Sequence, residues 1–317
     1  MNVNKWLEKN TSSLVGKKIA VTGTTGGIGV ELCDYLASLG ASLILLDRNK
    51  ERSRNHADKL SSKYGIEVKC HTVDLEDIVS VDNSVAFLQE EKIDIFIHNA
   101  GAYSIPRHVT SCGYDNVYQI NFASPYYLIK NIMPMLRDKC GRVVIVGSIA
   151  HNYSKIDETD VDFHTRQAAS LVYGNAKRYL MLGLAELFRA EKCVSLAITH
   201  PGITFTNITA HYPKLIFAII KHPMKVIFMK PRLAALSILK GVFESTEYGT
   251  WIGPFLFNVW GRPKKQILNT SSESECKKIA LISEQVYDRC CDAMRLNQNK
   301  FYCTDYYGLF FSTKASQ

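Results

Sequence analysis

The sequence predicts an α/β fold built on a doubly wound, mostly parallel sheet. Two observations carry that expectation. Short apolar runs without polar alternation recur along the chain, and stretches of helical periodicity fall between them. A strand that is apolar on both faces is covered on both sides. Strand–helix alternation then joins such strands through helical crossovers into three layers. Right-handed crossovers leave few arrangements, of which the doubly wound sheet is the commonest.

The elements follow in order. Lys18–Thr22 is a short apolar strand with glycines directly after it. Ser42–Asp47 (SLILLD), residues 67–73, residues 93–98, Arg142–Val146 and Ser195–Thr199 continue the series. Residues 28–39 carry apolar side chains at helical spacing and stop at Gly40, a residue suited to a left-handed C-cap. Lys50–Tyr64 reads as a polar-faced helix ahead of Gly65, and residues 113–136 and 167–190 as longer helices. Beyond Gly202 the alternation weakens. Residues 203–231 read as a substrate-covering insertion, 232–243 as a helix, 250–253 as a last short strand and 279–294 as a further helix before an aromatic tail. The expected organisation is an N-terminal extension (1–16), one domain (17–263) and a C-terminal helical extension with its tail (264–317).

Bulk properties narrow the class. The 317 residues are 46% hydrophobic and 21% charged, which suits a packed core and excludes a disordered chain or a long coiled coil. The net charge of +8 is scattered, so a solvated basic surface is expected and no nucleic-acid partner. The nine cysteines form no CxxC or CxxH grouping, and reduced thiols in a cytoplasmic protein fit them best. His98, His151, His164, His200, His211 and His222 show no ligand spacing, so no metal is expected. The first 18 residues lack the apolar core of a secretory signal, and no apolar run is long enough to span a bilayer. Residues 213–231 mix apolar and basic side chains. A lid over an apolar substrate is the first expectation there, and peripheral contact with a membrane surface the second.

Chemistry enters with Thr22-Gly23-Thr24-Thr25-Gly26-Gly27-Ile28-Gly29. Its glycines let bare backbone approach a pyrophosphate, and the helix that starts there brings free amides and a dipole to the phosphate charge. Asp47 ends the second strand, where a carboxylate can accept both ribose hydroxyls of an adenosine and repel a 2′-phosphate. Arg48 follows and can embrace that phosphate instead, so NAD is slightly favoured and NADP stays open. In Tyr173-Gly174-Asn175-Ala176-Lys177 the first and last residues share a helix face. An ammonium beside a phenol stabilises phenolate, so the Tyr173 pKa is expected to fall toward working pH. Such a phenol can exchange a proton with a carbonyl or alcohol. Ser148 closes the fifth strand, at the edge where open α/β sheets bind ligands.

Together these residues resemble the short-chain dehydrogenase/reductase family over roughly residues 15–255. Ile149-Ala150-His151 with the polar stretch after it, between Ser148 and Tyr173, is similar to the insertion of the family's retinol-dehydrogenase-like subgroup, which implies NADP and a lipophilic substrate. The TGxxxGxG pattern falls on Thr22, Gly23, Gly27 and Gly29. Asp74, Asn99-Ala100-Gly101, Asn121, Ser148, Tyr173 with Lys177, Pro201-Gly202 and Thr206 follow in family order. The resemblance implies a single-domain Rossmann fold and a nicotinamide-dependent oxidoreductase for an alcohol or carbonyl. Tyr173 would be the general acid/base, Lys177 would lower its pKa and hold the nicotinamide ribose, and Ser148 would orient the substrate oxygen. Asn121 would kink its helix and hold a water in a proton relay. For the cofactor, Gly23, Thr25, Gly27, Ile28 and Gly29 would meet the pyrophosphate, with Asp47 and Arg48 at the adenosine ribose. Asp74 and Leu75 would sit by the adenine, and Asn99, Ala100 and Gly101 would form the floor. Pro201 and Thr206 would lie toward the nicotinamide, with Thr206 on its carboxamide. The resemblance also implies a homo-oligomer paired through helices 113–136 and 167–190. Two rivals stand beside this reading: a catalytically silent NAD(P)-binding regulator, which three intact site residues argue against, and a sugar-nucleotide epimerase or dehydratase, which the glycine spacing argues against.

Overall fold

The computed structural model describes residues 2–204, 229–268 and 271–312, with residues 298–312 described as backbone alone. Eight strands form one sheet in the order β3-β2-β1-β4-β5-β6-β7-β8. They are β1 (Lys18–Thr22), β2 (Ser42–Asp47), β3 (Val68–Thr72), β4 (Ile95–His98), β5 (Arg142–Val146), β6 (Ser195–Thr199), β7 (Thr250–Leu256) and β8 (Trp260–Ile267). All neighbours pair in parallel except β7 and β8, which form an antiparallel hairpin. The apolar runs behave as predicted in the middle of the sheet: every residue of β4, and all but the first of β1 and β5, is buried. Edge strand β3 is only half-covered and carries polar Lys69 and His71.

The chain steps outward from β1 through β2 to β3, then returns to place β4 on the other side of β1. Helices leaving β1 and β4 therefore diverge, and the carboxyl ends of those two strands open a crevice. Two apolar layers enclose the sheet. One is supplied by α1 (Val3–Asn10), α2 (Gly27–Ser38), α3 (Lys50–Tyr64) and α8 (Pro231–Phe243). The other comes from α4 (Ile78–Glu91), the composite helix α5 (Asn116–Tyr118), π-helical Gln119–Ala123 and α6 (Ser124–Arg137), then α7 (Ala169–Leu187) and α9 (Glu273–Ser312).

Three features depart from the sequence expectations. The N-terminal extension is helical and inserts Trp6 into the first layer. Strand β8 crosses the expected boundary at residue 263, because its Gly, Arg, Pro and Lys residues hide an edge strand held by the hairpin. Helix α9 is longer than residues 279–294 and is part of the second layer. Its buried stripe of Cys276, Ile279, Ile282, Val286, Cys290 and Ala293 recurs every three or four residues, the period of one helix face. A Cβ on Gly183 of α7 would lie 2.6 Å from the Ser283 hydroxyl of α9, so a glycine is what lets the two helices approach. Buried Arg178 of α7 completes the join with two hydrogen bonds to the Glu275 carboxylate, at 2.8 and 2.7 Å. Helices α6 and α7, expected to pair subunits, thus have α9 of the same chain packed on them. Among the described residues no helix is long and apolar enough to cross a membrane.

Candidate active site

At the crevice above β1 and β4 lies a cavity of about 430 Å³. Gly23, Thr25, Gly27, Ile28, Gly29, Asp47, Arg48, Asp74, Leu75, Asn99, Ala100 and Gly101 all line it. Its floor is tied together by Thr22, whose hydroxyl accepts the backbone N–H groups of Asn99 (3.1 Å) and Ala100 (3.0 Å). The Asn99 side chain returns the link by donating to the Thr22 and Gly23 carbonyls, at 3.1 and 2.9 Å. A Cβ on Gly29 would collide with the Gly23 carbonyl oxygen, so this close turn admits only glycine. Helix α2 has Gly26 as its N-cap residue and so carries no side-chain cap. Its first N–H groups remain available to an anion, which is what a dinucleotide pyrophosphate requires. The cradle therefore fits the implied cofactor.

Asp47 plays a different part from the one its position suggested. It is buried, and both carboxylate oxygens are already committed. Oδ1 accepts the Thr25 backbone N–H (3.2 Å) and hydroxyl (3.3 Å), while Oδ2 accepts the hydroxyls of Thr24 and of Ser53 (2.9 Å). The carboxylate thus pins the glycine loop to α3. Arg48 is mostly exposed at the cavity mouth, 3.8 Å from Glu76. Arg52 also lines the cavity and donates to the Thr25 carbonyl at 2.9 Å.

The reactive end adjoins Gly101. The π-helical segment carries buried Asn121. Its side-chain amide donates to the Val117 and Ala102 carbonyls, both at 2.8 Å, and its Oδ1 accepts the Ala102 N–H at 3.3 Å. A Cβ on Gly101 would stand 2.9 Å from Asn121 Oδ1 and 3.6 Å from Lys177 Nζ, so those two groups converge beneath it. Lys177 is buried and donates to the Val146 carbonyl at 3.0 Å. Helix α7 sets Tyr173 one turn earlier, with the Lys177 ammonium nitrogen 5.7 Å from its ring centroid. The Ser148 hydroxyl lies near enough to the Tyr173 phenol to draw its pKa down. It also caps the short 3₁₀ turn Ile149–Asn152 through the Ala150 N–H, at 3.2 Å.

Electrostatics here reverse one expectation. Withdrawal from water pushes the Tyr173 pKa up to about 12; the nearby Ser148 hydroxyl opposes the rise and Tyr103, edge-on at 5.4 Å, adds to it. Burial in turn pushes Lys177 down to about 7. A lysine that gives up its own charge near neutrality has little to lend a phenol, so burial outweighs the anticipated attraction. His98, behind Thr22, is held neutral by burial and by Lys177.

Asn121, Lys177 and Tyr173 gather behind Gly101 at one end of the crevice, with Ser148 near the phenol, and none of the four lines the cavity itself. Pro201 is buried but does not line the cavity, and Thr206 lies outside the described residues, as does the insertion from 205 to 228. Sequence reasoning missed Leu46, Asn49, Arg52, Val73, Ala102 and Ile120 in the lining. Arg52 was the one with a signal, since it stands in the first turn of the helix that follows β2.

The comparisons agree with this geometry. Residues 17–159 match the family model described as short chain dehydrogenase. An uncharacterized oxidoreductase of Schizosaccharomyces pombe is 30% identical, over 75% of this chain and 76% of that protein. Retinol dehydrogenase 12 of Mus musculus is 29% identical over 61% of this chain. The chain spans about three fifths of the retinol dehydrogenases' length, 62%, 63% and 64% for three of them. Among solved structures, an uncharacterized protein from Mycobacterium paratuberculosis superposes with a TM-score of 0.69 at 22% identity, covering 90% of this chain and 96% of that one. The Pseudomonas aeruginosa RhlG/NADP complex gives 0.57 at 23%, covering 73% and 91%. With the glycine cradle, the sheet order and a relative matched over three quarters of its length, the chain belongs to the short-chain dehydrogenase/reductase family.

Proposed function

We propose that this protein reduces a lipophilic aldehyde or ketone with NADPH, with Tyr173 as the proton donor. The observation that carries the reading is the placement of Tyr173 one helical turn before buried Lys177, whose nitrogen stands 5.7 Å from the centre of the phenol ring, with Lys177 and Asn121 converging beneath Gly101 of the crevice. A bound dinucleotide would supply the hydride, and every other part of the chemistry belongs to side chains. Ser148 orients the substrate oxygen by a hydrogen bond. Tyr173, raised to about 12, keeps its proton at neutral pH and so stands ready to give it to an oxygen gaining negative charge. That protonation state is the one a proton donor to a carbonyl oxygen needs. Lys177, near 7, exchanges protons readily at working pH and can help restore the phenol through Asn121 and solvent.

The cofactor choice follows from charge. With both Asp47 oxygens spent inside the protein, no free carboxylate is left there to hold ribose hydroxyls. Arg48 and Arg52 put two guanidiniums at the same cavity, a setting that suits a 2′-phosphate. The NADP and NADPH complexes among the structural neighbours are consistent with this reading. The substrate class rests on kinship with retinol dehydrogenases, whose named substrate is a lipophilic alcohol.

The test is oxidation of NADPH and of NADH followed with a panel of lipophilic aldehydes and ketones. Turnover with NADPH is expected, with NADH weaker by at least about tenfold. Tyr173→Phe should abolish turnover while NADPH binding, read by fluorescence, persists. NADPH binding with no turnover on any carbonyl would point to the silent regulator instead.

A further inference from the structure

The loop between Ser148 and Tyr173 carries a second convergence of polar groups, away from the dinucleotide crevice. It borders a separate cavity of about 480 Å³, which Ile282, Gln285, Val286 and Arg289 of α9 also line. Asp160, Asp162 and His164, each two residues apart, present their side chains to it. One ligand atom from each lies within 4.8 Å of the other two.

Each carboxylate divides its labour. Asp160 Oδ2 accepts the Thr165 hydroxyl and has Arg166 Nε at 3.6 Å. Asp162 Oδ2 accepts the Asp115 backbone N–H at 2.7 Å, which ties the loop to the start of α5. The remaining oxygens turn to one imidazole nitrogen: His164 Nδ1 stands 3.0 Å from Asp160 Oδ1 and 3.3 Å from Asp162 Oδ1. A ring proton there can serve Asp162. Asp160 Oδ1, on a residue only 7% exposed, has no hydrogen-bond partner among the described residues. A buried carboxylate oxygen whose one close contact is the nitrogen of a mostly exposed imidazole is costly unless that ring is protonated or a metal cation sits among the three groups.

We propose that Asp160, Asp162 and His164 bind a divalent transition-metal ion of zinc size. The donor set of two carboxylates and an imidazole suits such an ion. The spacing agrees. Ligands about 2.0–2.1 Å from zinc stand about 2.9 Å apart at right angles and about 3.4 Å apart at tetrahedral angles. The observed 3.0 and 3.3 Å from His164 to the two carboxylates fall in that interval, and the Asp160–Asp162 pair lies within 4.8 Å, so it must close to about 4.1 Å or less around the ion. Calcium, with bonds of about 2.3–2.6 Å, would push its ligands wider than the 3.0 Å pair at either angle. The bound ion would fasten the segment ahead of Tyr173 to the N-terminus of α5. This site is a structural clamp on the active-site loop, and it stands apart from the hydride chemistry.

The experiment uses the full chain, stripped with chelator and kept reduced. Zn²⁺ is titrated by calorimetry, and Co²⁺ is followed by absorption to identify the ligands. Wild type is expected to take one Zn²⁺ that raises its melting temperature. His164→Ala and Asp160→Asn should each weaken that binding by at least about tenfold. His164 is mostly exposed, so its truncation leaves the fold intact, and a circular dichroism spectrum checks this. The Co²⁺ complex should show visible bands without thiolate charge transfer, since no cysteine belongs to the site. Equal Zn²⁺ binding by wild type and His164→Ala would overturn the proposal, as would an absence of binding or a thiolate signature in the Co²⁺ spectrum.

Discussion

Lys177 should cost the fold stability, and the cost should depend on pH. It is 1% exposed, donates one hydrogen bond to the Val146 carbonyl, and burial lowers its pKa from 10.5 to about 7. At about 1.36 kcal/mol per unit, keeping it charged inside the protein costs at most about 5 kcal/mol. The direction follows from proton counting. Below pH 7 the lysine is charged in both states, and the native state carries the full penalty. Between 7 and 10.5 the native state releases the proton and the unfolded chain keeps it, so this group's contribution to stability rises with pH. Above 10.5 both are neutral and the penalty is gone. Lys177→Met keeps the volume and removes the charge. At pH 6.5 the variant should be more stable than wild type by a few kcal/mol, less the lost hydrogen bond of about 1 kcal/mol. The gap should narrow steadily toward pH 10. Urea unfolding of both proteins across that range measures it, and the difference between them cancels every other titrating group. A gap independent of pH, or a variant less stable at pH 6.5, would show that Lys177 stays comfortably charged and that the electrostatic reading of the site is wrong.

Three further outcomes follow from the same geometry. Ile279→Ala, in the fully buried stripe of α9, should lower global stability by about 2–5 kcal/mol in urea unfolding; a loss below about 0.5 kcal/mol would mean α9 is a detachable tail. Gly29→Ala must displace the Gly23 carbonyl, so NADPH affinity should fall at least about tenfold in a fluorescence titration while the far-ultraviolet spectrum is unchanged. Asp47→Asn should loosen the loop it pins, lowering the melting temperature without shifting the preference between NADPH and NADH; a swing toward either cofactor would return Asp47 to the ribose-binding role its sequence position suggests.

The apolar code of the sheet was legible because burial on both faces writes it directly into residue types. Strands β1, β2, β5 and β6 lie where their apolar runs end, and α3 runs from Lys50 to Tyr64 as its periodicity predicts. Elements held by neighbours were harder to see. β8 is polar and contains Pro263, and it is a strand only because β7 pairs with it. The π-helical turn around Asn121 leaves no periodic mark. The full length of α9 was hidden because only its inner stripe reads as apolar.

The site divides along the same line. Which residues gather at the crevice follows from motif order, but what each one does electrically depends on enclosure. Tyr173 and Lys177 at four-residue spacing imply attraction between phenolate and ammonium, and that inference is sound for two groups in water. Inside the second layer both lose solvent, and desolvation pushes each toward its neutral form. Asp47 shows the same dependence on context. At the end of a strand it looks free to bind a ribose, until four donors from Thr24, Thr25 and Ser53 are found already on it. A sequence motif therefore specifies an inventory of groups, and their charge states and free valences are set by partners that the motif does not contain.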